Sequence, residues 1–426
     1  MFVADSGALT RAQTSPAEDA LVKKARAIHE KVITLDTHID FLPADLVGER
    51  NYTQRLDTQF NLPNMIDGGL DALFFSIYVR QAREAQDADA FKPAGYERAY
   101  KLAVEKFDAV RRFTREIAPD KIELALSAAD VHRIHAQGKK VALMGVENGY
   151  PIGEEIARIK EFYDRGARYM SLTHNGHNQL ADSHTGERDG WKWHGLSPLG
   201  KQAIAEMNRL GIMVDVAHAS KETMMQTAAL SKAPVIASHS AARALCNVSR
   251  DMDDEQLQAL KKTGGVIQVF AYNDFIKTTR PDAPDRAAAL AALRKEYGLP
   301  ELTGPAQRAR FQAALKRLSA DLRTAYDKKL AEIDKQYPGD PPVTIKDFVN
   351  HIDYAVKLIG IDHVGISSDF DGGGGVIGWN DASETFNITL ELVRRGYTEE
   401  QIAKLWGGNL LRVMDAVQRI ANEVQK

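Results

Sequence analysis

A closed (β/α)8 barrel, of the α/β class, is the fold this sequence predicts, and three observations predict it. Eight apolar runs of strand length are each followed by a segment able to hold a helix. The runs are nearly continuous in apolar residues, as expected for parallel strands covered on both faces. Six of the eight finish on or beside a histidine or a carboxylate, and in a barrel the C-terminal ends of all strands open on one mouth.

In chain order the runs are "VITLDTH" ending at His38, "ALFFSIYV" at Val79, "VALMGVE" at Glu147 and "RYMSLTH" at Thr173 and His174. They continue with "IMVDVAH" at His218, "PVIASHS" at His239, "GVIQVFA" at Ala271 and "HVGISSD" at Asp369. Between them, "GEEIARIKEFYDRG", "SPLGKQAIAEMNRLG" and "SKETMMQTAALSKAP" read as helices stopped by Gly or Pro. An open doubly wound sheet would need a Gly-rich phosphate turn after an early strand, and none is found. Residues 1–20 read as a flexible N-terminal segment, and 21–426 as a single barrel domain. A helical insertion rich in Ala, Leu, Lys, Arg and Glu occupies about 280–342, between strands seven and eight. Its charges read first as a solvated helix face, and second as a lid or as a subunit contact of a homodimer.

Composition excludes several function classes. The 426 residues are 44% apolar and 27% charged, with 55 basic against 58 acidic side chains and a net charge of −3. That balance asks for neither nucleic acid nor an anionic membrane. Cys246 is the single cysteine, so no intrachain disulfide forms, and it reads as a small buried hydrophobe. No apolar run reaches the length of a membrane span. The start, "MFVADSGALTRAQTSPAEDA", lacks a basic stretch leading into an apolar core. The expectation is a soluble, bacterial-type protein, cytoplasmic or periplasmic, with a leader absent from this chain in the second case.

The strand ends carry the chemistry. In "LDTHIDF", His38 and Asp40 lie two residues apart, so an extended chain points both to one face. An isolated His-x-Asp pair reads first as a rim histidine and a helix cap, and only second as a metal pair. Its recurrence with Glu147, His174, His218, His239 and Asp369 at the ends of other strands favours a metal site. Two divalent ions of the zinc type take His nitrogen and carboxylate oxygen, and need a ligand that bridges them. Glu147 in "MGVENG" is placed to bridge, with His38 and Asp40 on one ion and His218 and His239 on the other. Asp369, across the mouth, suits proton shuttling.

Taken together, "DTHID", "MGVENG", "LTHNGHNQLADS", "VDVAHAS", "VIASHSAAR", "SRDM" and "SSDFDGG" make the sequence resemble the membrane (renal) dipeptidases of the amidohydrolase superfamily, over nearly its whole length. The resemblance implies a metal-dependent hydrolase with a binuclear zinc site that splits dipeptides, including those with a C-terminal D-residue, through a metal-bridging hydroxide. It implies His38, Asp40 and Glu147 as ligands of the first zinc, and Glu147, His218 and His239 as ligands of the second. It further implies His174 at the scissile carbonyl, Arg250 at the substrate carboxylate and Asp369 as the proton carrier.

Thr37 and Ile39 depart from the Gly and Asn of many relatives, and "AVQRIANEVQK" has no apolar anchoring tail, so membrane attachment is not carried over. Hydrolysis of lactams or cyclic amides is the neighbouring reaction; a barrel that binds metal without catalysis is the non-enzymatic rival. "DGGGGV" lacks the Lys-Ser/Thr of a phosphate loop and reads as a flexible turn. Without the resemblance, Arg250 reads as a surface arginine paired with Asp251 or Asp253. His177, His184 and His194, near Trp191 and Trp193, read as solvated loop histidines, and Asp371 as a turn residue.

Overall fold

In the computed structural model the chain is described over residues 16–81, 86–302 and 305–425. Nine parallel strands form one sheet: β1 Leu35–Ile39, β2 Ala72–Tyr78, β3 Ile122–Leu124, β4 Lys140–Glu147, β5 Ala167–Ser171, β6 Met213–Asp215, β7 Ile236–Ser240, β8 Val266–Phe270 and β9 Val364–Ser367. Eight of them run side by side as β1-β2-β4-β5-β6-β7-β8-β9. The ends of that row meet where Asp40 N–H donates to the Phe370 carbonyl (2.9 Å) and Asp369 N–H to that of His38 (3.2 Å). The ring is thereby nearly closed, as the eight runs predict.

The strand not anticipated is β3. It pairs with Lys140–Ala142, the foot of β4 below the point where β5 begins its own pairing at Met144. Three residues are too short to register as an apolar run. Three strands end two or three residues before their site residues: β5 stops at Ser171 and β6 at Asp215, each three residues before its histidine, and β9 at Ser367, two before Asp369. His174 and His218 therefore sit on loops at the mouth.

The interstrand helices follow their signals. Ser197 and Ser220 cap Pro198–Leu210 and Lys221–Leu230, and Gly166 and Gly211 end their helices in the left-handed region. One glycine is demanded by packing inside the barrel: a Cβ on Gly145 would lie 2.0 Å from the Tyr169 ring. Residues 16–20, expected to be flexible, instead begin the helix Pro16–His29, whose buried face carries Ala25 and Ile28. Residues 1–15 of that segment lie outside the described residues.

Between β8 and β9 the helices Pro284–Glu296, Pro305–Arg317 and Ala320–Gln336 bury Leu293, Phe311, Leu315 and Tyr326 against one another. Lys316 pairs with Asp381 (2.6 Å) and Glu384 (3.0 Å), and Arg317 with Asp57. This bundle thus leans on the loops that follow β9 and β1. Among the described residues no helix is long and apolar enough to cross a membrane.

Candidate active site

Glu147, the last residue of β4, is the centre on which the mouth converges. Its Oε1 lies 3.1 Å from His218 Nε2, 3.4 Å from His239 Nε2 and 3.6 Å from His174 Nε2. Its Oε2 lies 3.3 Å from His38 Nε2 and accepts from Ser76 Oγ at 3.1 Å. The His218 and His239 Nε2 atoms are only 2.9 Å apart, and the His38 and His239 rings stack at 3.9 Å. His38, Asp40 and Glu147 bring ligand atoms within 4.8 Å of one another; so do Glu147, His174 and His218, and so do His38, His239 and Asp369. All seven strand-end residues singled out in the sequence are therefore gathered in one place.

Each inner histidine has its other nitrogen occupied. His38 Nδ1 meets Tyr169 Oη at 2.9 Å, and that hydroxyl donates to the Thr37 carbonyl at 3.2 Å, so His38 Nδ1 carries the hydrogen. His239 Nδ1 meets Ser238 Oγ (2.8 Å), which donates to Asp215 Oδ2 (2.6 Å). His218 Nδ1 meets Asn175 Oδ1 at 3.0 Å. In every case the acceptor chain holds a hydrogen on Nδ1 and makes Nε2 the nitrogen turned toward Glu147, the arrangement metal-ligating histidines use.

The electrostatics carry the same message. Burial works against a proton on His38, but the Glu147 carboxylate beside it overrides burial and pushes it up to about 10. Burial, then Arg250 and His174, hold His218 well below its ordinary value; burial, then His38 and Arg250, do so for His239. Burial opposes ionisation of Glu147, yet His38 and His174 pull it well below the usual carboxylate range. Asp369 is pushed well above that range by burial, although His38 opposes this, with Asp40 and Glu147 adding to the rise. Buried carboxylates and imidazoles so crowded lack enough opposite charge of their own. His38 Nε2 and Asp40 Oδ1 are buried without a hydrogen-bond partner. Divalent cations among these atoms would supply what is missing, so the residues fit the metals the resemblance implies.

Two site residues hold left-handed backbone, His218 at φ 63° and Asp369 at φ 59°. Such strain in non-glycine residues clusters at functional sites. Glycine in "DGGGG" serves close approach: a Cβ on Gly372 would lie 2.4 Å from Asp40 Oδ2 and 2.5 Å from Asp369 Oδ1. Asp371 is a turn residue as read, accepting from the Gln59 and Phe60 N–H groups.

Arg250 is 4% exposed, so it is no surface arginine. Its Nη2 donates to the His239 carbonyl at 2.7 Å, while Nε and Nη1 have no partner. Asp253 is engaged elsewhere, capping the helix Asp254–Lys262 and pairing with Lys221 at 2.7 Å. Asp251 is buried with neither carboxylate oxygen hydrogen-bonded.

Of the loop histidines, His194 is exposed, and His177 bonds the Gly190 carbonyl at 2.8 Å. His184 departs from the solvated reading: it lies between Ser249 Oγ (3.0 Å) and Asn175 Oδ1 (2.9 Å). Burial, then the Arg250 charge, lower it to about 3, so it is neutral. Sequence reasoning also missed Tyr169, Ser238, Asp215 and Asn175, the acceptors behind the inner histidines. It missed Lys106 as well, whose ammonium lies near Asp40 and Glu147 and over the Phe41 ring at 4.6 Å. The acidic and small residues in "VDVAHAS" and "IASHS" were a usable signal; Tyr169 and Lys106 had none.

Imidazoles and carboxylates gathered this densely, at this end of this barrel, define a metal-dependent hydrolase. Within that class the chain belongs to the membrane dipeptidase family, peptidase family M19, which it matches over residues 22–426. It is 31% identical over 369 residues to dipeptidase aclJ of Aspergillus oryzae, covering 86% of this chain and 72% of the relative. It is 29% identical over 370 residues to dipeptidase tcpJ of Claviceps purpurea, with 87% and 72% covered. The crystal structure of the probable dipeptidase PvdM from Pseudomonas aeruginosa superposes with a TM-score of 0.75 at 32% identity, covering 95% of this chain and 100% of that one. The enzyme is accordingly a metallo-dipeptidase, a hydrolase.

Proposed function

We propose that this enzyme is a dizinc dipeptidase that cleaves free dipeptides, including those with a D-residue in the C-terminal position. The observation that carries the reading is the convergence of the Nε2 atoms of His38, His218 and His239 on the two oxygens of Glu147. His38, Asp40 and Glu147 would hold one zinc ion, and Glu147, His218 and His239 the other. Bound there, the cations would polarise the scissile carbonyl and activate a water at neutral pH.

The chain's own residues do the rest. Arg250, whose Nε and Nη1 are buried without partners, offers the substrate's carboxylate N–H donors from a fixed, planar guanidinium. Gripping the carboxylate and not the side chain is compatible with either hand at that residue. His174, on the rim with Nε2 turned to Glu147, donates toward the oxygen of the carbonyl under attack. Asp369, its Oδ1 4.0 Å from His38 Nε2, takes the proton of the attacking water and returns it to the departing amine. A carboxyl biased toward its protonated form by burial suits the second half of that exchange.

Metal analysis of the purified protein, followed by a screen of L,L and L,D dipeptides against lactams, tests this. Two zinc ions per chain and turnover of dipeptides are expected. Glu147→Gln should lose metal and activity together, because it removes a charge shared by both cations while keeping the shape. Full occupancy with normal turnover in that variant would overturn the assignment.

A further inference from the structure

The cluster opens upward into a cleft of about 950 Å³ whose walls include Tyr78, Arg80, Gln81, His174, Arg188 and Asp189. His174 belongs to both, so whatever enters the cleft reaches the cluster. That volume is large for a dipeptide backbone alone, and among the described residues no aliphatic side chain lines the wall to receive an apolar group.

One row of side chains leads from the cluster to the cleft. Period two puts Ser76, Tyr78 and Arg80 on the same side of β2 and its continuation. Ser76 bonds Glu147, the Tyr78 ring sits 4.6 Å from that of His174, and Arg80 is exposed above them. The Arg80 charge is felt below: it adds to burial in lowering His174, and for Tyr78 it opposes the larger upward effects of burial and Glu147. Arg188 is chelated by Asp189 through two hydrogen bonds, 2.7 Å and 2.8 Å. Arg80 lines the cleft and makes no ion pair or hydrogen bond with any described residue.

Topology sets which end of the substrate it meets. In the ring, β2 and β7 stand four places apart of eight, on opposite sides of the mouth. Arg250 follows β7 and Arg80 follows β2. A dipeptide whose C-terminal carboxylate lies on Arg250, with its carbonyl over the cluster, therefore points its N-terminal residue toward Arg80.

We propose that Arg80 forms a subsite for the N-terminal residue's side chain, and that this subsite selects an acidic one, Glu or Asp, over neutral and basic ones. The proposal rests on the dipeptidase reading above.

The test measures kcat/KM for Glu-Ala, Ala-Ala, Lys-Ala and Ala-Glu with the zinc-loaded enzyme and with Arg80→Gln and Arg80→Glu. The unmodified enzyme is expected to prefer Glu-Ala to Ala-Ala, with the preference shrinking as salt is raised. Arg80→Gln should cut the Glu-Ala to Ala-Ala ratio about tenfold, the scale of a charge-assisted hydrogen bond. Arg80→Glu should move the preference to Lys-Ala. The Ala-Glu to Ala-Ala ratio should move less in both. Hydrolysis of Ala-Ala with ratios independent of residue 80, or equal loss on all four dipeptides, would overturn the subsite alone. No hydrolysis of any dipeptide by the unmodified enzyme would overturn the dipeptidase reading, and the subsite with it.

Discussion

Arg250 donates one N–H to the main-chain carbonyl of His239 at 2.7 Å and leaves two nitrogens buried without partners. A guanidinium pinned by one corner beside His239 is held in register with the cluster, with unpartnered N–H groups left for a carboxylate. Burial lowers even this arginine's affinity for its proton, although Asp251, Asp369 and Glu147 oppose it, so a hydrogen-bonded carboxylate there would be held strongly.

Arg250→Met should lower kcat/KM on dipeptides by roughly 2 to 5 kcal/mol, the scale for losing one partner of a buried charged pair. Metal content should not change. Dipeptide amides, which lack the carboxylate, should be poor substrates already and lose little more in the variant. Equal losses on acids and amides would show that Arg250 supports the fold, through His239 and the Phe270 ring 5.0 Å away, and not the substrate.

His184 acts on the cluster through Asn175, whose Oδ1 also faces His218 Nδ1. Loss of the donor at 184 frees the amide to turn, and a turned amide would put the hydrogen on the wrong nitrogen of His218. His184→Phe should weaken binding of one zinc ion by about 10-fold to 100-fold, with the other ion unaffected. His184→Gln, which keeps a donor, should recover most of it. Titration with a metal chelator reads this directly, and loss of both ions alike in both variants would mean a general disturbance.

Asp369 shares a cluster of ligand atoms with His38 and His239, so its role can be decided between proton carrier and ligand. As a carrier, Asp369→Asn should reduce turnover about 10²-fold to 10⁴-fold while both zinc ions stay bound. Zinc loss in that variant would make it a ligand first, and the proton path would need another group.

Far from the site, His351 is buried with Nδ1 accepting from Ala242 N–H (3.1 Å) and Nε2 donating to the Ile276 carbonyl (2.8 Å). Burial lowers it from its ordinary 6.5 to about 4. The unfolded chain therefore binds a proton there that the folded chain refuses, and stability falls as pH drops from 6.5 toward 4. At ~1.4 kcal/mol per unit, this histidine accounts for up to about 3 kcal/mol of acid destabilisation. His351→Asn, which keeps the acceptor, should flatten the dependence of unfolding free energy on pH across that window. An unchanged slope in urea titrations between pH 4 and 7 would rule it out.

The sequence by itself determined the barrel and the gathering of His38, Asp40, Glu147, His174, His218, His239 and Asp369. The reason is that parallel strands all finish at one mouth, so a local pattern repeated at strand ends becomes a three-dimensional cluster under a single topological rule. What only the tertiary structure decided are the groups that act on those residues across the ring. The Tyr169 hydroxyl reaches His38 over 131 residues of chain, and it fits because Gly145 on the neighbouring strand has no side chain. Arg250 changes from a plausible surface residue to a buried, half-partnered one only once its loop is folded over β7. His184 and Arg80 gain their places from loops whose course no periodicity marks. Strand ends obey a rule that short-range sequence can express; side chains meeting from distant strands are arranged by packing, which it cannot.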